Sequence, residues 1–176
     1  LTNLRQHTGN WPGKTVTNAQ GRHTHRGRDY ILVDLPGTYS LMAHSAEEEV
    51  ARDFLCFGGA DGAVVVCDAT CLERNLNLVL QTLEITPRTV VCVNLMDDAR
   101  SKGIEVDTAE LSRLLGVPVV AAAAGRNEGL EQLMEAVADM AAEEEAPHTF
   151  RPGYPSAVER ALARLEPVLA RRLEGR

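Results

Sequence analysis

The chain has 176 residues and a net charge of −7, and its 44% hydrophobic and 24% charged residues are typical of soluble globular proteins. The length suffices for one domain with a short appendage, and the acidic balance argues against nucleic-acid binding, which needs a basic surface. The apolar runs near 63–67 and 117–124 are shorter than the roughly 20 residues that cross a bilayer. We therefore expect neither a membrane span nor a signal peptide.

Apolar runs of strand length alternate with segments of helical period, which predicts an α/β fold with a mostly parallel sheet and flanking helices. Three predicted strands are nearly continuous apolar runs, as expected for strands covered on both faces. Apolar residues recur at helical spacing near the C-terminus, where Pro167 should kink or divide a helix. The predicted strands are 15–20, 30–34, 62–68, 89–94 and 118–122, and the predicted helices are 46–57, 72–83, 108–115 and 129–144.

A break rich in Pro and Gly follows the last predicted helix of the sheet region. We interpret residues 1–146 as one domain and residues 147–176 as a linker with the beginning of a helical subdomain. The cysteines form no CxxC pair, so we expect buried reduced thiols rather than a disulfide or metal site. His23 and His25, flanked by arginines, are interpreted as a solvated hairpin rather than a metal or anion site.

The tetrapeptide Asp34-Leu35-Pro36-Gly37 directly follows an apolar strand, at the end where ligands bind in open α/β sheets. An aspartate there is able to hold a water of a bound Mg²⁺, and Gly37 lets its backbone N–H approach a terminal phosphate. The alternative is a Pro-Gly turn that closes the strand, and for the tetrapeptide alone we favour that alternative.

A second tetrapeptide, Asn94-Leu95-Met96-Asp97, stands at the end of another apolar strand. The Asp97 carboxylate is able to accept hydrogen bonds from the N1–H and the exocyclic amine of guanine, which adenine does not offer together. Asn94 would brace neighbouring loops. A helix N-cap is the alternative, since Asn and Asp both favour that position. GTP-binding proteins usually have Asn-Lys-x-Asp here, and Leu95 replaces the lysine.

Upstream, residues 9–16 (GNWPGKTV) resemble the first switch of the FeoB family of ferrous iron transporters, which has the form Gly-Asn-Trp-x-Gly-x-Thr-Val. Residues 34–41 (DLPGTYSL), Asp68-Ala69 and residues 72–76 (LERNL) also match that family. The resemblance covers roughly residues 1–140. It implies a P-loop GTPase-like (Ras-like) domain that binds GTP or GDP with Mg²⁺ and switches to control Fe(II) uptake. The expected partner is a membrane permease domain of the same polypeptide, at the cytoplasmic face of the bacterial inner membrane.

The resemblance also implies positions for the ligands. Thr15 and Asp34 would meet Mg²⁺, and Asn94 with Asp97 would meet guanine. Thr38 stands where Ras-like proteins place a water-orienting Gln, so no catalytic residue is assigned. K⁺ stimulation and oligomerisation stay open. The implied nucleotide-binding set is Gly13, Lys14, Thr15, Val16, Thr17, Asp34, Leu35, Pro36, Gly37, Asn94, Leu95, Met96, Asp97, Ala123, Ala124 and Gly125; at 123–125, alanine replaces the family's usual hydroxyl residue, which leaves backbone contacts.

The phosphate-binding Gly-x-x-x-x-Gly-Lys-[Ser/Thr] loop of such domains has no counterpart in context, because the segment from Gly9 to Thr15 is one residue too short and contains Trp11-Pro12. We expect an incompletely represented chain whose sheet lacks its first strand and exposes apolar edges. This chain alone should bind and hydrolyse nucleotide weakly or not at all. The alternatives are a nucleotide-free interaction module (a pseudo-GTPase) and a soluble GTPase of ribosome assembly.

Overall fold

The structure, a computed structural model, describes residues 7–10, 17–42, 44–143, 150 and 153–173. These residues form two three-stranded sheets and the helices that flank them. The strands are β1 (His7–Asn10), β2 (Thr17–His25), β3 (Arg28–Asp34), β4 (Ala63–Asp68), β5 (Thr89–Asn94) and β6 (Val119–Ala121), and the helices are α1 (Ala46–Phe57), α2 (Leu72–Ile85), α3 (Met96–Ser101), α4 (Thr108–Leu115), α5 (Leu130–Ala142) and α6 (Ser156–Leu173).

The first sheet is antiparallel, in the order β1-β2-β3. Its second hairpin turns at Arg26 and Gly27, which have φ angles of 49° and 73°. Positive φ at both residues is the geometry of a tight two-residue hairpin turn, and glycine tolerates it without strain. The hairpin predicted around His23 and His25 is therefore present. Strand β1 was not predicted, and β2 extends beyond its predicted end, because these strands are polar.

The second sheet is parallel, in the order β4-β5-β6, as the apolar runs predicted. One face carries an apolar cluster that includes Val79 and Leu83 of α2 and Leu115 of α4. The other face packs on Leu133 and Met134 of α5. Residues 89–93 of β5 are all buried, so the prediction of a strand covered on both faces is correct for β5.

Strand β4 differs from β5, because only alternate residues of β4 are buried. Val65 and Cys67 lie in the core, whereas Val64 and Val66 are 39% and 59% exposed. Across the residues described, β3 and β4 belong to different sheets and are not hydrogen-bonded to each other. The prediction of cover on both faces is therefore wrong for β4.

The helices mostly follow the predicted periods. Helix α1 is capped by Ser45, whose hydroxyl accepts the Glu48 N–H at 3.2 Å, and acidic residues fill its first turn. Helix α3 was not predicted because it is only six residues long. Pro167 was predicted to kink or divide a helix; α6 continues through it, so the helix is not divided there, and the kink stays a prediction. Within the described ranges, no helix is long and apolar enough to cross a membrane.

The four cysteines are free thiols, as expected, but only two of them are buried. Cys67 and Cys92 lie in the core, and burial raises the pKa of the Cys67 thiol to about 12. Cys56 and Cys71 are exposed, which contradicts the prediction of buried thiols. Each lies on the solvent side of an amphipathic helix or at its start, so neighbouring apolar residues pack inward while the thiol faces water.

Candidate functional site

Three parallel strands end at one edge of the second sheet, and the loops that follow them form the candidate site. The register pairs Asp68 of β4 with Asn94 of β5, and Val93 of β5 with Ala121 of β6. The carboxyl ends of all three strands therefore lie side by side. Ligands of open α/β sheets bind at this edge, where the loops rather than the strands supply the contacts.

The loops after β5 and β6 are tied together by hydrogen bonds. The Asn94 side-chain Oδ1 accepts the backbone N–H of Ala124 at 3.0 Å. The backbone N–H of Ala122 donates to the Val93 carbonyl at 2.8 Å, and the N–H of Met96 donates to the Ala122 carbonyl at 3.1 Å. Asn94 thus holds the neighbouring loop.

Leu95 occupies an unusual backbone conformation between β5 and α3. Its φ and ψ angles are 62° and 33°, in the left-handed region. For a residue with a side chain, this conformation costs roughly 1–2 kcal/mol. The turn starts α3 directly after the strand and leaves the Leu95 side chain 37% exposed at the edge of the sheet. Strain of this kind persists where the surrounding contacts hold a loop in one shape.

Asp97 lies in the first turn of α3 and is already engaged by an arginine. Its Oδ2 atom is 2.9 Å from Nε of Arg126, and the Asp97 side chain is 22% exposed against 66% for the arginine. Arg126 was not predicted as a site residue, although it directly follows Gly125 of the predicted nucleotide-binding set. A cation beside a loop that faces a carboxylate is the signal that would have identified it.

The loop after β6 is built on a short 3₁₀ turn, residues 124–126. Ala123 is buried and exchanges two backbone hydrogen bonds with Glu128, at 3.1 and 3.2 Å. Gly129 closes the loop with a φ of 79°, and a Cβ atom there would lie only 2.2 Å from the Ala121 carbonyl oxygen. Ala124 and Gly125 are exposed, so the backbone of this turn faces solvent at the rim of the site.

Asp68 caps the 3₁₀ turn that follows β4. Its Oδ1 accepts the Thr70 N–H at 2.7 Å, and its own N–H donates to Asn75 Oδ1 at 2.8 Å. The hydrogen bonds from Thr70 stabilise the charged carboxylate and lower the pKa of Asp68 below its usual value. The Asp68 and Asn75 pair therefore fixes the loop between β4 and α2.

The segment 34–41 leaves the end of β3 and is held on α2 by side chains. The N–H of Leu41 donates to Gln81 Oε1 at 2.6 Å, and the Arg74 guanidinium lies 3.9 Å from the centre of the Tyr39 ring. Asp34 is exposed at the start of the segment. A Cβ atom on Gly37 would meet no described atom within 4 Å, so packing does not require glycine there. The two anchoring residues of α2, Gln81 and Arg74, were not predicted from the sequence.

Residues 37–39 line a cleft of about 290 Å³ together with Val66, Asn75 and Leu78. This places the segment after β3 beside the open face of β4. On the other side, Asn94, Asp97 and residues 123–125 are brought together by the loop contacts above. Thr17 pairs with Asn10 at the start of β2. The predictions at Gly13, Lys14, Thr15 and Val16 lie outside the described residues.

A parallel sheet with flanking helices and an Asn-x-x-Asp loop at a strand end defines an α/β domain of the GTPase-like class. Residues 1–137 match the family model described as "Ferrous iron transport protein B". The chain is 40% identical over 141 residues to the Fe(2+) transporter FeoB of Salmonella typhimurium and to that of Escherichia coli (strain K12). The chain therefore belongs to the FeoB family.

Solved structures of FeoB cytosolic domains are similar over nearly the whole chain. The T. maritima domain in GDP form II has a TM-score of 0.91 and 36% identity, covering 97% of this chain and 67% of that one. The L. pneumophila domain has a TM-score of 0.90 and 34% identity, covering 98% and 67%. The match to the two transporters covers 78% of this chain but only 18% of their length.

Proposed function

We propose that this chain is the guanine-nucleotide-binding domain of a bacterial ferrous iron transporter, and that its nucleotide state controls Fe(II) uptake. The observation that carries the proposal is the arrangement around Asn94 and Asp97. Asn94 fixes the loop after β6, and Asp97 presents a partly buried carboxylate at the same edge of the sheet. Relatives with solved structures include GDP and GMPPNP forms, which supports a guanine nucleotide as the ligand.

In this proposal, the Asp97 carboxylate accepts the N1–H and the exocyclic amine of guanine. A partly buried carboxylate loses more free energy with a base that leaves it unpaired than an exposed one does, so the pair sets base specificity. Leu95, with Met96 behind it, covers one face of the base. The loop of Ala123, Ala124 and Gly125 completes the base site through the exposed backbone of Ala124 and Gly125, since no hydroxyl side chain is present there.

The phosphate side of the proposed site uses the segment after β3. Asp34 offers an exposed carboxylate, and oxygen ligands of this kind suit Mg²⁺, which would neutralise phosphate charge when bound. Gly37 donates its backbone N–H to the terminal phosphate. This role agrees with the finding that packing against the described residues does not require glycine there. The remaining proposed contacts on this side come from Gly13, Lys14, Thr15, Val16, Thr17, Leu35 and Pro36. Thr15 would bind Mg²⁺ together with Asp34. Whether K⁺ takes part stays open.

Hydrolysis is expected to be slow. Thr38 follows Gly37, and its hydroxyl lies 2.5 Å from the Ser40 carbonyl oxygen and accepts the Ser40 N–H at 3.1 Å. A hydroxyl engaged by its own backbone is not available to orient a water. The 176 residues also contain no phosphate-binding loop in context, and each charge-assisted hydrogen bond of such a loop contributes about 1.5–3 kcal/mol. Affinity of these residues alone should therefore be low.

We also propose a boundary near residue 146, with residues 147–176 leading into a helical subdomain. Helix α6 leaves an apolar stripe open, since Leu165, Val168 and Leu169 are each more than half exposed. Such a helix is stabilised when its apolar stripe packs on other residues. In this proposal the permease domain of the same polypeptide lies beyond it, and the present domain lies at the cytoplasmic face of the inner membrane.

The decisive experiment exchanges the base specificity. Asp97→Asn keeps an oxygen acceptor for N1–H but replaces the acceptor for the amine with a donor, which suits the C2 carbonyl of xanthine. The complete gene product should be titrated with fluorescent GDP and with fluorescent XDP, each in the presence of Mg²⁺. We expect the wild type to prefer GDP and Asp97→Asn to prefer XDP, each by at least about tenfold.

Asp98→Asn is the matched control, because Asp98 is the exposed neighbour on the same helix. It should leave the preference for GDP unchanged. An absence of GDP binding to the folded complete protein would favour the nucleotide-free interaction module. Binding that is indifferent to Asp97 would place the base elsewhere. A gene product without membrane spans downstream would favour a soluble GTPase of ribosome assembly.

A further inference from the structure

The tip of the β2–β3 hairpin is fastened to helix α5. Arg26, the first turn residue, donates from Nη1 to Asp139 Oδ1 at 2.7 Å and from Nη2 to Glu135 Oε1 at 3.4 Å. His25, the last residue of β2, is only 9% exposed although it ends a hairpin. The interpretation of this segment as a solvated hairpin is therefore wrong for His25, whose imidazole is enclosed between the sheet and the helix.

Two glutamates of α5 lie next to this imidazole. Glu131 and Glu135 are four residues apart and thus share one face of the helix. The Glu131 Oε1 atom is 3.8 Å from His25 Nδ1. One ligand atom from each of the three residues lies within 4.8 Å of the others. Small rotations of the two exposed carboxylate side chains would bring all three atoms around one ion.

The imidazole lacks the hydrogen bonds that a buried histidine normally has. Its Nε2 atom is buried and has no partner among the described residues. The contact of Nδ1 with Glu131 is too long for a hydrogen bond. A buried polar group without partners costs about 1–3 kcal/mol, so packing alone does not account for a histidine at this position.

We propose that His25, Glu131 and Glu135 bind a divalent transition-metal cation of the Zn²⁺ or Fe²⁺ type. One imidazole nitrogen and carboxylate oxygens form a donor set suited to these ions, whereas Mg²⁺ prefers oxygen ligands alone. The local charge agrees, because the carboxylates of Glu135 and Asp139 lie at the guanidinium of Arg26, and the carboxylate of Glu131 lies beside His25. Since Arg26 pairs mainly with Asp139, Glu135 would give up only the long 3.4 Å contact with Arg26 in turning toward the ion.

A bound ion would clamp the antiparallel sheet to α5. The two sheets share no strand pairing over the described residues, so contacts such as the Arg26 ion pairs hold the hairpin in place. A cation that bridges the hairpin and the helix binds the folded state only, and it should raise the melting temperature as its concentration rises. This site is separate from the loops proposed to bind nucleotide.

The test is titration of the purified complete protein with Zn²⁺, followed by calorimetry and thermal melting. The background carries Cys56→Ser and Cys71→Ser, because exposed thiols bind Zn²⁺ themselves. We expect one high-affinity Zn²⁺ equivalent in this background, a raised melting temperature, and no equivalent response to Mg²⁺. Glu131→Gln and His25→Gln should each weaken binding by at least about tenfold.

The controls are His44→Gln and Glu105→Gln, which remove exposed residues of the same types elsewhere. Both should keep the affinity of the background protein. Because Glu131 is 77% exposed, its glutamine variant should fold even if the variant of the buried histidine does not. Equal Zn²⁺ affinity in Glu131→Gln and the background protein overturns the proposal, as does an equal loss in the two controls. GDP affinity should be the same in Glu131→Gln.

Discussion

The loops after β5 and β6 are tied to each other by hydrogen bonds within the parallel sheet, whereas the segment after β3 rests on α2 through Gln81 and Arg74. The first region follows a fully buried strand, and the second lies beside the open face of β4. Regions with few buried contacts open at low free energy. The loops after β5 and β6, which form the base side of the proposed site, are thus preorganised. The segment after β3, which forms the phosphate side, is free to change shape with the ligand.

The largest expected effect comes from a substitution that disrupts the loop after β6, on the preorganised side. Gly129→Ala would place Cβ 2.2 Å from the Ala121 carbonyl oxygen at a φ of 79°. The left-handed backbone and the clash together should lower the free energy of unfolding by at least about 3 kcal/mol. Chemical denaturation measures this loss.

Gly125→Ala is the control for that substitution, since a Cβ there would meet no described atom within 4 Å. Its effect should stay within about 0.5 kcal/mol. If Gly129→Ala were equally mild, the loop after β6 would be able to rearrange, and the contrast between the two sides would disappear.

The difference between the loops after β5 and β6 and the segment after β3 explains which features could be predicted from the sequence. Strand β5 and Asn94 were predicted because a continuous apolar run marks a strand buried on both faces, and a polar residue marks its end. The open face of β4 was not predicted, because Val64 and Val66 do not differ in sequence character from their buried neighbours. Arg126 beside Asp97, and Glu131 beside His25, depend on tertiary contacts between residues distant in sequence. Periodicity carries no information about such pairs.

A matched pair of substitutions in neighbouring strands tests the open face. Val91→Thr puts a hydroxyl into the buried centre of β5, where Val91 is 1% exposed, and should cost about 1–3 kcal/mol of unfolding free energy. Val66→Thr makes the same change on β4 at a residue that is 59% exposed, and should cost less than about 0.5 kcal/mol. Thermal or urea unfolding distinguishes them. Equal costs would mean that the face of β4 is covered in solution.

Asp68 lies between the two regions, and its effect should depend on pH. Because its pKa is lowered in the folded state, the stabilisation is present above the unfolded value near 3.9 and is lost as pH falls through the folded pKa. Asp68→Ala should cost about 1 kcal/mol at pH 7, and this difference should shrink toward pH 2. Asp68→Asn keeps an acceptor for the Thr70 N–H without titrating, so its difference from Asp68→Ala should persist at low pH.

The smallest expected effect concerns nucleotide affinity. Arg126 forms an ion pair with the Asp97 carboxylate that guanine would also need, so the base must displace it. Arg126→Gln should therefore tighten GDP binding, while Arg100→Gln, which removes the guanidinium 3.5 Å from Glu128, should not. A partly exposed ion pair contributes about 0.2–1 kcal/mol, which limits the gain to about fivefold. The gain should shrink at high salt, because screening already weakens the pair. Weaker GDP binding in Arg126→Gln would show instead that the arginine contacts the nucleotide, and the preorganised side would then include it as a ligand rather than as a competitor.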